Sequence, residues 1–414
     1  MIEGPAPVVH GQRLGRGVTS CGSWTNPLTR GAAAPDPLLP AVTRSSTPYL
    51  IVAVTGRALA ASAARGGYRV AVLDCFADRD TRALASVSRS VASPSGPLFD
   101  ARALLRAADA LGRQSSGGLV YGSGFEGRTG LLARLADGRP LHGNPPEVVA
   151  AVRDPAAFFP LLQGLGIGHP EVRLAPPVNT AGWLVKQPGG AGGAHVRYAG
   201  GSHSPGGAYF QRLEAGRTLS VLFLADGRRA LPLGVNRQWT APARPGIPFL
   251  YGGAVGGIRL PRRIVRQLRA GLDALVGASG LVGLNGLDFI LRGDRWLVLE
   301  LNPRPTATVE LYDPDYPDGL FRWHLRACHG ELPERAATSR ATRAHAVLYA
   351  SAPCGATAHL RFPGWCRDVP MPGARFEPGD PVCTVHASAA DEAGAIALLR
   401  RRSDLMERAL RRIA

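Results

Sequence analysis

The sequence is poor in cysteine, in aromatic residues and above all in lysine. Six cysteines (Cys21, Cys75, Cys328, Cys354, Cys366 and Cys383) are scattered over 414 residues with no CxxC pair. That spacing excludes a disulfide scaffold and the common zinc ligand sets, and it points to a reduced, cytoplasmic protein. No run approaches the ~20 apolar residues of a membrane helix, so no membrane partner is expected. No apolar stretch follows the N-terminus, which argues against a secretory signal. Aromatic residues make up only 7% of the chain, and no zinc-finger, homeodomain or RNA-binding signature accompanies the net charge of +17. The charge is therefore read as compositional bias, and no specific nucleic-acid partner is expected. Of the 48 basic residues all but one are arginine, spread over every region; the exception is Lys186.

What is present divides into four stretches. Residues 1–46 are rich in Pro, Gly, Ser and Thr without periodicity, and are expected to be a disordered tail. Leu50–Val54, the turn at Thr55-Gly56-Arg57, a small-residue helix and a second strand ending on Asp74 make a βαβ opening. Its turn lacks Gly-x-Gly-x-x-Gly, which excludes a dinucleotide site. Leu119-Val120-Tyr121 leads into a glycine turn carrying Glu126, and loops after parallel strands bind ligands in such sheets. Glu126 and Arg57 are secondary candidates for contact with a substrate. Val148–Gly166 reads as one amphipathic helix containing Arg153, and Arg262–Ser279 as a core-packing helix. Asn236–Trp239 and Tyr251–Gly253 read as substrate-facing loops. Cys383 and His386, three apart on a strand, point to opposite faces and are taken as structural rather than as a nucleophile pair.

The densest chemistry lies between Gly280 and Tyr312. Leu287–Leu291 is an apolar strand interrupted by Asp288; Arg292-Gly293-Asp294 turns; Trp296–Asn302 returns. Residues two apart on a strand share a face, so Glu300 and Asn302 project together, and a hairpin brings Asp288 alongside them. Two carboxylates and an amide oxygen make a hard cage suited to Mg²⁺, with Mn²⁺ as an alternative ion. Pro303-Arg304-Pro305 places a guanidinium next to it. About a hundred residues earlier, Trp183-Leu184-Val185-Lys186 runs into Gly189-Gly190-Ala191-Gly192-Gly193, a strand lysine followed by a glycine flap able to cradle phosphates. No Gly-Lys-Ser/Thr follows, so this is not a Walker A loop.

These residues together resemble the core of the ATP-grasp superfamily of carboxylate–amine ligases. The resemblance implies an α+β fold with a Rossmann-like N-terminal domain (47–146), a two-lobed ATP-grasp domain (147–335) and a small C-terminal domain (336–414). It implies that Asp288, Glu300 and Asn302 hold the Mg²⁺ of ATP, and that Lys186, Arg153, Gly189, Gly190, Gly192 and Gly193 contact phosphate. Gln211, Arg212, Leu213 and Glu214 then fall on the hinge strand that edges the nucleoside, and Arg304 faces an acyl phosphate. The partners implied are a small-molecule carboxylate and an amine, with a homodimer left open. Among relatives the chain looks most like predicted carboligases associated with methanopterin- or methanofuran-type C1-carrier metabolism. The alternatives are a biotin carboxylase-like carboxyphosphate former, which would need a separate carrier because there is no second lysine, and a non-catalytic nucleotide-binding protein.

Overall fold

The computed structural model describes residues 47–412 except 94–95, 113–116, 201–205, 242 and 358–359. The tail expected over 1–46 lies outside the described residues. Short apolar runs build the first sheet. β1 (Tyr49–Val52) is followed by α1 (Arg57–Arg65), β2 (Val70–Asp74), β3 (Val87–Ser90), β4 (Leu119–Tyr121) and β5 (Leu141–His142). The five strands are parallel in the order β3-β2-β1-β4-β5. A parallel sheet must be covered on both faces. Leu50, Val52 and Leu73 pack with Leu104 and Leu132 on one side, while Ile51, Val70 and Val72 pack with Ala60 and Ala63 of α1 on the other.

The single helix expected over 148–166 is two: α2 (Pro146–Arg153) and α3 (Pro155–Gly164). Pro155 disfavours helical backbone at the residue before it. Asp154 is accordingly extended (φ −81°, ψ 115°) and caps the second helix through Ala156 N–H. The break leaves Arg153 at the C-terminal end of α2 rather than in mid-helix.

A four-stranded antiparallel sheet follows: β6 (Val172–Arg173), β7 (Trp183–Lys186), β8 (Val196–Tyr198) and β9 (Tyr209–Arg212), in the order β8-β7-β9-β6. The largest sheet has eight antiparallel strands. They are β10 (Arg217–Asp226), β11 (Ala230–Thr240), β12 (Tyr251–Val255), β13 (Val282–Arg292), β14 (Arg295–Asn302), β15 (Thr342–Tyr349), β16 (Cys366–Arg367) and β17 (Pro381–Ala389), ordered β14-β13-β10-β11-β12-β15-β17-β16. The segments expected as loops at Asn236–Trp239 and Tyr251–Gly253 are thus strand residues. The glycines suggested a loop, but Trp239 pairs with Gly253 and Thr240 with Tyr251, leaving Gly252 as the extra residue of a bulge. A side chain there would come within 2.8 Å of the Thr240 backbone.

Strand alternation gives this sheet two different faces. Leu219, Val221, Phe223, Leu287, Phe289 and Val298 pack against α4 (Arg262–Ser279) and α7 (Glu392–Arg411). The stripe Ile264, Leu268, Leu272, Leu275 on α4 is fully covered, each side chain contributing about 1.5–3 kcal/mol of burial. On the other face Leu222, Leu224 and Leu284 pack with Leu311 and Tyr312 of α5 (Val309–Tyr312) and Leu320 of α6 (Gly319–Cys328). Phe321 and Leu325 of α6 turn the opposite way and join the core of the first sheet. Hydrogen bonding continues from β12 into β15 and β17, so the strands after residue 336 extend the same sheet. Among the described residues no helix is long and apolar enough to cross a membrane.

Candidate active site

The β13–β14 hairpin sets the register from which the site grows. Asp288 lies opposite Glu300 and Gly286 opposite Asn302. The pairing slips after Asp288, so Leu299 is an extra residue on β14. Asn302 Nδ2 donates to Asp288 Oδ2 (3.0 Å) and to Glu300 Oε1 (3.5 Å), while Gln238 Nε2 donates to Asp288 Oδ1 (3.0 Å). Two adjacent buried carboxylates repel one another. Burial, and then Glu300, push the Asp288 carboxyl up to about 7. Burial also acts against ionised Glu300, but His195, Arg153 and Lys186 outweigh it and hold its carboxyl well below the usual range. Such a pair fits a hard divalent cation. Asn302 Oδ1 accepts from Arg304 (3.1 Å), so as folded Asn302 orients the carboxylates, and its oxygen becomes a donor to metal only when the amide turns. Among the described residues no three His, Cys, Asp or Glu side chains converge on one point. The cage is two carboxylates and an amide.

Three nitrogen-bearing side chains close over Glu300. Lys186 is 5% exposed, its strand position flanked by Val196 and Tyr209. Burial lowers its pKa against the pull of Glu300. Arg153 donates to Leu301 O (3.1 Å) and Gly190 O (2.5 Å) and lies 3.5 Å from Glu300 Oε2. His195, within the flap hairpin, places Nε2 3.6 Å from the same oxygen. The glycine flap is thereby tied to the acid pair. Gly189 (φ +76°) rests on Gly127, where a Cβ would fall 2.2 Å from the Gly127 Cα, and Gly193 (φ +72°) rests on Phe249 O. Gly192 O accepts from Tyr251 N–H (3.0 Å), and Gly190 makes room for the His195 ring.

Behind the flap an apolar slot is lined by Val152, Phe158, Phe159, Tyr209, Leu299 and Leu301, with Arg153, Gln187 and Glu300 at its polar end. Of the expected hinge residues, Gln211 touches its wall from behind: fully buried, it donates to Leu299 O (3.3 Å), and its Oε1 has no partner. Arg153 Nε, Gln187 Nε2 and His195 Nδ1, at or beside the slot, are likewise buried without partners. An apolar slot with orphaned polar groups at one end suits a flat heteroaromatic ring joined to an anionic tail. The other hinge residues lie on the outer edge. Arg212 donates to Ala181 O (3.1 Å) and stacks 5.6 Å from the Trp183 ring. Leu213 is exposed with its N–H on Gly182 O, and Glu214 lies 3.6 Å from Arg292.

Arg304 is 9% exposed and is held by Glu126 Oε1 (2.5 Å), Asn302 Oδ1 and Pro305 O, one bond from each guanidinium nitrogen. Glu126 is therefore the partner that holds Arg304. Burial raises the Glu126 carboxyl, but Arg304 and Arg153 bring it below its ordinary value. Arg57 is equally committed, to both oxygens of Glu310 and to Asp368 Oδ1 (2.9 Å). Cys383 lies in the core of the large sheet and His386 on the other face, as their spacing requires. His195, Gln187 and Tyr209 were not among the expected site residues, and Gln238 was reached only as part of the Asn236–Trp239 segment read as a substrate-facing loop. Only His195, embedded in the glycine flap, carried a local signal.

The family profile of the ATP-grasp domain matches residues 157–308. The large chain of carbamoyl phosphate synthase from Mycobacterium bovis is 26% identical over 217 residues, covering 46% of this chain and 19% of its own length. This chain thus spans about a fifth of that curated relative. A biotin carboxylase complex from Campylobacter jejuni superposes with a TM-score of 0.67 at 13% identity, over 87% of this chain and 94% of that one. The L-amino acid ligase from Bacillus licheniformis gives 0.64 at 15% identity, over 86% and 97%. With the flap, the slot and the acid pair arranged as described, residues 157–308 are an ATP-grasp domain.

Proposed function

We propose that this protein is an ATP- and Mg²⁺-dependent ligase that joins a small-molecule carboxylate to an amine through an acyl phosphate. The observation behind this reading is the Asp288–Glu300 pair facing Lys186 and Arg153 beneath a glycine flap. Asp288 and Glu300 would hold the metal ion, which when bound offsets the charge on phosphate oxygens. Lys186, paired with Tyr209 of the slot wall, would supply a compact charge to phosphate, and Tyr209 and Leu299, the latter held by Gln211, would border the nucleoside. Arg304, fixed by Glu126 and Asn302, presents a preorganised cation beside the cage, where the acyl phosphate forms. No protein nucleophile is needed. Precursors of C1-carrier cofactors are the substrates we favour, on the sequence resemblance alone.

A second reading has one point in its favour, the likeness to a biotin carboxylase fold. Carboxyphosphate formation would need a separate carrier, because Lys186 is the only lysine and is buried in the site. The test is ADP release by the purified protein with Mg-ATP, offered paired amino acids and C1-cofactor precursors. Turnover that requires both an acid and an amine supports the ligase. Turnover on bicarbonate without an amine favours the second reading, and no turnover with any pair removes the first.

A further inference from the structure

One face of the large sheet carries a polar row well beyond the acid pair. Glu300 pairs with Asp288, Asp288 with Ser220, and Ser220 with Asn236. Gln238, two residues on, pairs with Ala254, Ala254 with His345, and His345 with His386. Paired residues, and residues two apart, project from the same face. The Gly252 bulge turns Tyr251 onto that face as well, with its hydroxyl 2.7 Å from His345 Nε2. Glu310 of α5 reaches the far end of the row. Its two oxygens accept from Arg57 at 2.6 and 2.5 Å, and His386 Nε2 lies 3.6 Å from one of them. The Tyr251–His345 contact links the strand next to Gln238 with the far end of the row.

Two features of the far end look towards a ligand. His345 is 2% exposed, yet its Nδ1 has no partner. The His386 side chain is 21% exposed, and its buried Nε2, without a hydrogen-bond partner, lies 3.6 Å from a carboxylate that Arg57 grips in bidentate fashion. A carboxylate clamped behind an imidazole whose ring stays accessible is the arrangement of an oriented proton acceptor. Resting on the ligase reading above, we propose that this end of the row is the acceptor subsite, where a primary amine binds and His386, oriented by Glu310, takes its proton. The ammonium N–H bond breaks and the proton moves to the imidazole. The freed lone pair then forms the C–N bond to the acyl carbon, and phosphate leaves with the electrons of the C–O bond. The second amine proton passes to solvent. Burial lowers the pKa of both histidines, His345 to about 4, which favours the neutral, proton-accepting form of each ring.

The experiment separates activation of the acid from capture of the amine. Wild type, His386→Gln and His386→Asn are each given Mg-ATP and the standard amino acids, offered both as acid and as amine, with hydroxylamine in parallel. Hydroxylamine is unprotonated at neutral pH and traps an acyl phosphate as a hydroxamate without a base. The expected result is that the ratio of amide to hydroxamate formed falls about a hundredfold in both variants. A ratio within about threefold of wild type overturns the assignment, as does a wild type that forms hydroxamate but no amide. A wild type that forms no hydroxamate with any acid defeats the ligase reading itself, and the two failures are thereby distinguished.

Discussion

Lys186 is where composition and geometry meet. The chain uses arginine at every other basic position, and its one lysine is buried on β7 beneath the glycine flap, within electrostatic reach of Glu300 and Asp288. An ammonium is a compact point charge, whereas a guanidinium is planar and wider and asks for a fork-shaped partner. Arg153 already fills the space for one guanidinium by bridging Leu301 O and Gly190 O. Lys186→Arg is therefore expected to keep the fold but weaken ATP binding or turnover by at least tenfold, about 1.4 kcal/mol. Calorimetric ATP affinity and ADP release both unchanged would remove Lys186 from the site. Glu300→Gln removes one anion of the pair and the partner shared by Arg153 and His195. A protein with unaltered circular dichroism but about a hundredfold less Mg-ATP turnover is expected. Wild-type ADP release by this variant, in the presence of an active acid and amine pair, would refute the metal assignment. At this scale much was legible: Lys186 as the lone exception in a chain of arginines, and Asp288 and Glu300 as acids in apolar strands. The contact of Gln238 with Asp288 was not, because a glutamine on an alternating strand carries no mark of the acid it will meet across β10.

At the scale of elements, backbone conformation decides what the flap can do. Gly189 combines a φ of +76° with the Gly127 backbone lying against it, whereas Gly192, at φ +63°, has nothing within 4 Å of a Cβ position. Alanine at either place meets left-handed strain of about 1–2 kcal/mol. Only at 189 does it also collide with another backbone. Gly189→Ala is expected to hold the flap away from the slot and weaken ATP affinity about tenfold, with Gly192→Ala clearly milder. Titration of both variants with ATP checks this, and equal losses would mean that strain alone matters. The β7–flap–β8 hairpin was readable because a lysine strand, a glycine run and a second strand follow one another. The helix break at Asp154-Pro155 and the bulges at Leu299 and Gly252 were missed. Apolar spacing runs on past a proline, and a bulge is defined only by the strand lying beside it.

Over the whole molecule, one buried ion-pair group joins three distant stretches. Arg57 of α1 meets Glu310 of α5 and Asp368 beside β16. Burial acts against ionised Glu310, but Arg57 and the nearby histidines bring its carboxyl from the ordinary 4.5 down to about 2. A carboxyl depressed by folding stabilises the fold fully above its unfolded pKa and ceases to as the pH falls through its folded one. The contribution, on the order of 3 kcal/mol, is therefore present above about pH 4.5 and disappears between there and about pH 2. Denaturant unfolding of wild type and Glu310→Gln across that range is expected to show a stability gap that narrows as the solution becomes more acid. A gap that stays constant would show that the pair does not titrate with folding. Composition also sets an expectation at this scale. If the charge of +17 is bias rather than function, duplex DNA should bind weakly, without sequence preference and with steep salt dependence. Tight, sequence-selective binding at physiological salt would overturn that reading.

The sequence by itself determined whatever depends on short-range periodicity. Glu300 and Asn302 share a face because strand side chains repeat every second residue, and the hairpin turn of Gly293-Asp294 lies only a few residues away. The same local logic marked the flap, the βαβ opening and helix α4. Tertiary structure alone decided which distant groups meet: Glu126 with Arg304, Arg153 with Glu300, Arg57 with Glu310, and His345 and His386 on the face that holds the acid pair. The physical reason is one of range. Alternation assigns each strand two faces, but which strands become neighbours, and in what register, is set by the packing of the whole chain. No residue carries in its own neighbourhood the identity of a partner brought to it by strand order.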